Sequence, residues 1–217
     1  MKKFQIKESV DLTQIGTYPQ SIKTNHLVDE SSHLHINNFY LSKIEMPIAI
    51  PEPIIQEKAK LTDMVSCVYL GYRLVISHKL KSILEKHNSS DIQYLPVALY
   101  YKKEKLDYWL VNPYLFQMEN IHFKLSEIWK EGMGNKKINT IIVASYEEFK
   151  IIKDKTVLPE RISTEKPVLL ENTSQDLFIL DYVKSGIGYY VSEMVKNEME
   201  EAGCTGIRFE EINTSNT

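Results

Sequence analysis

Two stretches of the chain, residues 72–97 and 188–212, are similar to each other at a constant offset of 115 residues, without a gap. Each stretch is typical of a strand, a serine, a helix and a second strand. Such a repeat constrains the fold strongly, because both copies must bury the same pattern of apolar positions. The matched pairs include Ser77 with Ser192, Lys81 with Lys196, Glu85 with Glu200, Ile92 with Ile207, and Tyr94 with Phe209. The sequence therefore predicts an α+β fold, with a mixed sheet and a duplicated strand-helix-strand unit.

The ends of the two repeated helices carry residues suited to capping. Ser77 and Ser192 precede the helices, where a serine hydroxyl can accept a hydrogen bond from a free amide of the first turn. Asn88 and Gly203 follow them, and both residue types tolerate the left-handed backbone of a helix C-terminus. About fifteen residues separate the strands of each copy, which is enough for a crossover helix and a parallel β-α-β unit. We expect all four residues to have structural roles.

The rest of the pattern predicts one domain over residues 1–217. Its first repeat half is residues 62–130 and its second is residues 138–212, after an irregular N-terminal part (1–60) and before a disordered tail (213–217). The remaining predicted elements are strands at 4–6, 33–41, 94–101, 106–112 and 138–144, and a helix at 146–153.

Composition excludes several classes of protein. A formal charge of −3 argues against a general nucleic-acid binder, which usually carries a basic patch. Two cysteines provide neither a disulfide framework nor a cysteine-rich zinc site. The first residues lack the apolar run of a signal peptide, and no uncharged apolar run reaches membrane-spanning length. We expect a cytoplasmic protein that needs no cofactor or metal and does not bind a membrane.

Candidate catalytic residues are few. His33 and His35 lie two residues apart and could share a face of a strand, but no third ligand has suggestive spacing, so we interpret them as solvent-facing. His87 lies on the apolar stripe of the first helix and is interpreted as structural. Ser77 and Ser192 lack the Gly-x-Ser-x-Gly elbow of a hydrolase. The sequence therefore predicts no catalytic residue.

The C-terminal copy carries an acidic imbalance. Residues 189–217 contain six acidic and two basic side chains. A solvated face is the simplest interpretation, but such a surface could also steer a basic partner. The residues that we predict to contact a partner are Glu193, Glu200 and Glu201.

Residues 74–77, 92–97, 189–193 and 203–209 resemble immunity protein family eleven of bacterial polymorphic toxin systems. The most specific part is the C-terminal pattern that runs from Tyr189-Tyr190-Val191-Ser192-Glu193 to Gly206-Ile207 and Phe209, and the likeness covers residues 62–212. It implies a non-catalytic α+β protein that neutralises a toxin by direct contact in the cytoplasm of the producing cell or its kin. The implied partner is a cognate toxin domain.

Two other classes of function remain open from the sequence. One is an enzyme whose site is assembled from scattered residues, for which His33, His35, Asp63 and Asp176 are the available side chains. The other is a self-associating scaffold that uses its strand edges. The oligomeric state and the identity of the toxin do not follow from the sequence.

Overall fold

The structure is a computed structural model, and it describes residues 2–25, 28–29, 31–88, 90–184 and 186–215. Its strands in chain order are β1 (Lys3–Glu8), β2 (Ser21–Thr24), β3 (Pro53–Ile55), β4 (Met64–Val65), β5 (Leu74–Ile76), β6 (Ile92–Tyr101), β7 (Glu104–Pro113), β8 (Glu127–Glu131), β9 (Lys137–Ile141), β10 (Arg161–Lys166), β11 (Leu177–Val183), β12 (Gly186–Ser192) and β13 (Ile207–Ile212). The α-helices are α1 (Leu12–Ile15), α2 (His78–His87), α3 (Tyr146–Lys155) and α4 (Glu193–Glu201). Short 3₁₀ helices cover Ile36–Asn38, Met118–Asn120, Phe123–Leu125 and Met133–Asn135.

Two sheets contain these strands. One has the order β13-β1-β12-β11-β10-β8-β9 and the other has the order β2-β3-β6-β7-β5-β4. Both are mixed: β10 and β11 are parallel in the first and β3 and β6 are parallel in the second, whereas their other neighbours include antiparallel pairs. The predicted α+β class with mixed sheets is confirmed.

The chain divides into two compact units. The first unit comprises Met1–Gln5, Phe116–Glu193 and Glu210–Thr217, and the second comprises Ile6–Leu115 and Met194–Phe209. Each has its own buried apolar core, with Phe178 and Tyr190 in the first and Val75 and Leu110 in the second. The bounds differ from the predicted halves, 62–130 and 138–212, because the N-terminal and C-terminal segments each contribute to both units. Whether the chain is one domain stays a prediction.

The hairpin between the copies is confirmed, with a tighter turn than predicted. β6 and β7 pair in continuous antiparallel register from Ile92 opposite Pro113 to Tyr101 opposite Glu104. Only Lys102 and Lys103 form the turn, and both have positive φ angles, 50° and 73°. Two such residues give the turn a twist that matches the twist of the strands it joins.

The strand-helix-strand order predicted for the repeats occurs in both places. In the first copy, β5 and β6 are each antiparallel to β7, which lies between them. In the second copy, β1 lies between β12 and β13. The backbone N–H of Ser77 donates to the Asp63 carbonyl (2.7 Å), and that of Ser192 donates to the Asp176 carbonyl (2.8 Å). These bonds support an internal duplication, which stays a prediction.

The capping residues occupy the expected places, with one difference in geometry. The Ser77 hydroxyl accepts from the Leu80 N–H (3.2 Å), and Gly203 follows α4 with a left-handed φ of 63°. Ser192 directly precedes α4. Asn88 follows α2 in an extended conformation (φ −156°) rather than a left-handed one, because its side-chain oxygen accepts from the N–H groups of the next turn.

One local prediction, the strand at 33–41, is corrected. Residues 33–41 do not form a strand; they contain the 3₁₀ helix Ile36–Asn38, which His35 begins by accepting from the Asn37 N–H through Nδ1. Within the predicted disordered tail, Leu169 donates to the Asn213 carbonyl and accepts from the Ser215 N–H, and disorder of the tail stays a prediction. The rest of the predicted tail, residues 216–217, lies outside the described residues.

Candidate functional site

The three glutamates predicted to contact a partner are exposed on α4. Glu193 belongs to the first unit, and Glu200 and Glu201 belong to the second. The Glu200 carboxylate lies 2.8 Å from the Lys196 ammonium, one helical turn away. Glu200 therefore has an intramolecular role that the sequence prediction did not include.

Other ion pairs reduce the acidic imbalance of the C-terminal copy further. Glu198 forms an ion pair with Lys86 (2.6 Å) and a hydrogen bond with His87 (2.8 Å), and Glu211 forms an ion pair with Lys2 (3.1 Å). Hydrogen bonds from His87 and Lys86 hold the pKa of Glu198 below its ordinary value. The field that this surface presents to a partner is thus weaker than the formal count of acidic residues implies.

Asp63 fixes the connection after α4 within the second unit. Its carboxylate accepts from the Ser77 hydroxyl (2.7 Å) and the Thr205 N–H (2.9 Å), and it pairs with the Lys79 ammonium (3.0 Å). Lys79 also donates to the carbonyl of Gly203, at the C-terminus of α4, where a cation is favoured by the helix dipole. Burial by itself would raise the pKa of Asp63, but these hydrogen bonds hold it below its ordinary value. Asp63 therefore has a structural role.

Three other side chains are available for a scattered active site: His33, His35 and Asp176. His33 is exposed and His35 is 2% exposed, so the prediction of two solvent-facing imidazoles is wrong for His35. Asp176 belongs to the first unit. Over the part of the chain that the structure describes, no three histidine, cysteine or acidic side chains are grouped in a way that could hold a metal ion.

An open groove of about 490 Å³ lies in the second unit, between α2 and the β6–β7 hairpin. Trp109 and Tyr94 form part of its wall. Trp109 is opposite Pro96 in the strand register, so Tyr94 is its diagonal neighbour on the same face of the sheet. Lys81 and Glu85 project from α2 at an i, i+4 spacing and complete this wall.

Lys81 is held at the centre of the groove wall. Its ammonium is 2.6 Å from the Glu85 carboxylate, 4.7 Å from the Trp109 ring centre and 5.3 Å from the Tyr94 ring centre. The Lys81 side chain is only 12% exposed. An ammonium over aromatic faces is attracted by their quadrupoles, and this attraction strengthens where water is excluded. The arrangement orients the two rings before any partner binds.

Tyr94 contributes a hydroxyl whose hydrogen bonding is unsatisfied. The oxygen is buried and has no hydrogen-bond partner among the described residues. Burial, together with the neighbouring Glu85 carboxylate, raises the pKa of Tyr94, so the phenol keeps its proton at neutral pH. A buried hydroxyl without a partner costs about 1–3 kcal/mol relative to one that is satisfied.

The rim of the groove includes a loop residue, Lys43, that a hydrogen-bonded clamp keeps in place. The neighbouring residue Ile44 donates its N–H to the Gln93 side-chain oxygen (3.0 Å) and accepts from the Gln93 amide nitrogen (2.8 Å). Lys43 itself remains 57% exposed. On the same rim, the Tyr114 hydroxyl donates to the Ser90 carbonyl (2.5 Å).

The second copy repeats the lysine, the glutamate and the aromatic ring at the offset of 115. Lys196 pairs with Glu200 and lies 5.5 Å from the Phe209 ring centre. The internal repeat of the sequence pairs these residues with Lys81, Glu85 and Tyr94, but it does not indicate that each triplet forms one cluster. The same kinds of contact therefore occur at both places. The Tyr94 hydroxyl and the Trp109 ring distinguish the first copy.

No protein-family model matches this chain, and no curated protein matches it. Within the described residues, no helix is both long enough and apolar enough to cross a membrane.

Proposed function

We propose that this chain is an immunity protein that binds a cognate toxin of a bacterial polymorphic toxin system and neutralises it, without catalysis, by direct contact in the cytoplasm. The resemblance of residues 62–212 to immunity protein family eleven motivates the proposal. The observation that carries it is the groove in the second unit. Trp109 and Tyr94 are of the residue types that dominate binding energy in protein interfaces.

Preorganisation makes this groove a favourable contact surface. Lys81 is buried against both rings, and Gln93 fixes the loop at the rim. Because these side chains are already ordered, binding a partner costs little additional side-chain entropy. An inhibitor that must bind its toxin tightly gains affinity from such rigidity.

Co-expression with the toxin domain encoded beside this gene tests the proposal. The wild-type protein should rescue the host from that domain and copurify with it. Trp109→Ala should weaken the complex by about 30-fold or more, which corresponds to about 2 kcal/mol for a central aromatic contact. Loss of rescue in that variant is the expected result.

Trp129→Ala is the matched control. Trp129 also lies on a strand, β8, and it is also covered by a lysine, with Lys137 4.5 Å from its ring centre. It belongs to the first unit, so its replacement should leave rescue intact. Failure of the wild-type protein to rescue or to form a complex, while folded and expressed, would overturn the proposal.

The acidic residues of α4 are a second group of side chains that we propose to contact the toxin. Reversing the charge of Glu193 or Glu201 should weaken the complex and leave the fold intact. Glu200→Lys is less informative, because it also breaks the ion pair with Lys196. Unchanged affinity of Glu193→Lys and Glu201→Lys would remove α4 from the interface.

A further inference from the structure

We propose that the groove of the second unit accepts an acidic side chain of the toxin that stands beside a flat apolar group. This inference rests on the proposed function and specifies the chemistry of the contact. It concerns Lys43, Lys81, Tyr94 and Trp109.

The charge of the groove favours an anionic group. Its wall contains two ammonium groups, Lys43 and Lys81, and one carboxylate, Glu85. Glu85 is already paired with Lys81 at 2.6 Å. Lys43 forms an ion pair with Glu45 (3.9 Å), but both side chains are largely exposed, 57% and 79%, and such a pair contributes little. The side chains that line the groove therefore carry two positive charges and one negative charge, and the more exposed positive charge, that of Lys43, lies at the rim.

The hydrogen-bonding capacity of the wall agrees with this charge. A lysine ammonium has three N–H donors, and the structure gives Lys81 one acceptor, the Glu85 carboxylate. The Lys43 ammonium, whose side chain is 57% exposed, brings three more N–H donors to the rim of the groove. A carboxylate carries about four acceptor positions and no donor when ionised. It is the side-chain group that best complements such a set.

The aromatic part of the wall selects what accompanies the carboxylate. Trp109 is partly exposed on the hairpin, and Tyr94 and Tyr114 line the same groove. Aromatic rings prefer offset or edge-to-face contacts with other flat rings, which are worth about 0.5–1.5 kcal/mol beyond the area they bury. An aspartate next to an aromatic residue would satisfy both parts of the groove.

Short peptide probes test this inference without the toxin. The experiment titrates N-acetyl-Asp-Phe-amide into the full-length protein and follows the Trp109 indole N–H and the β6 amides by ¹H–¹⁵N NMR. We expect saturable shifts at these groups with a dissociation constant of about 1 mM, as is usual for a ligand of this size. The matched probes N-acetyl-Asn-Phe-amide and N-acetyl-Lys-Phe-amide should bind at least 10-fold more weakly.

Two variants connect the binding to named groups. Lys43→Gln removes an exposed charge and should weaken Asp-Phe binding several-fold while leaving Asn-Phe binding unchanged. Tyr94→Phe removes a hydroxyl that the surrounding protein covers and reproduces the residue type of the second copy, so it should fold normally and leave Asp-Phe binding unchanged. Equal binding of the aspartate and asparagine probes, tighter binding of the lysine probe, or no shifts at Trp109 would each overturn the inference.

The two proposals fail in different ways. If wild-type protein rescues the host but the aspartate probe does not bind, the groove chemistry is wrong and the immunity function stands. If the probe binds as expected and no rescue or complex is found, the groove is an anion-selective site and the immunity function is wrong.

Discussion

Glu8 makes the stability of the second unit depend on pH. It ends β1, and its carboxylate accepts a hydrogen bond from the Cys67 backbone N–H. Burial raises the pKa of the Glu8 carboxyl from 4.5 to about 7, and the hydrogen bond offsets only part of this effect. The folded chain therefore holds this proton more tightly than the unfolded chain.

The sign of the linkage follows directly. The protonated Glu8 carboxyl contributes to the unfolding free energy, and this contribution is fully present below about pH 4.5 and is lost as the pH rises through about 7. A change in pKa from 4.5 to about 7 corresponds to about 3 kcal/mol of unfolding free energy. Because Gln cannot ionise, Glu8→Gln should be as stable as the parent near pH 4.5 and more stable by up to about 3 kcal/mol near pH 8.

Urea unfolding between pH 4.5 and pH 8 measures this difference. The chain has two tryptophans, and Trp129→Phe in every protein leaves Trp109 fluorescence as a reporter of the second unit. Glu201→Gln, at an exposed position of α4, is the matched control, and its profile should run parallel to that of the parent. A constant difference between Glu8→Gln and the parent at every pH would refute the reasoning.

Two further predictions concern the region around Asp63. Gly206→Ala should destabilise the second unit by about 3 kcal/mol, because the added Cβ would lie 2.1 Å from the Met64 carbonyl oxygen at a φ of +81°. Gly203 has a φ of +63°, and a Cβ added there would meet no neighbouring atom within 4 Å, so Gly203→Ala should lower the unfolding free energy by only about 1 kcal/mol. Equal urea midpoints for the two variants would contradict this account. Asp63→Asn should lower the unfolding free energy by about 2 kcal/mol at pH 7, since its hydrogen bonds to Ser77, Thr205 and Lys79 depend on the charge. The lowered pKa of Asp63 means that this contribution is present above about pH 4 and lost as the pH falls further, so an equal loss at pH 7 and pH 2.5 would argue against it.

The sequence by itself determined the local structure of both copies. The serine before α2, the glycine after α4 and the apolar stripe of each helix follow rules of capping and periodicity that act over a few residues. The β6–β7 hairpin was predictable for the same reason, because its strands are adjacent along the chain. The α+β class then followed from the order of these elements.

Only the tertiary structure decided which side chains meet. Asp63 and Thr205 are 142 residues apart along the chain, and their contact depends on how the C-terminal segment packs in the second unit. The position of β7 between β5 and β6 places Trp109 against Lys81, and no local pattern encodes that strand order. The groove and the partial neutralisation of the acidic surface both arise from such long-range packing, because a contact between distant residues depends on the energy of the whole fold rather than on the residues beside them.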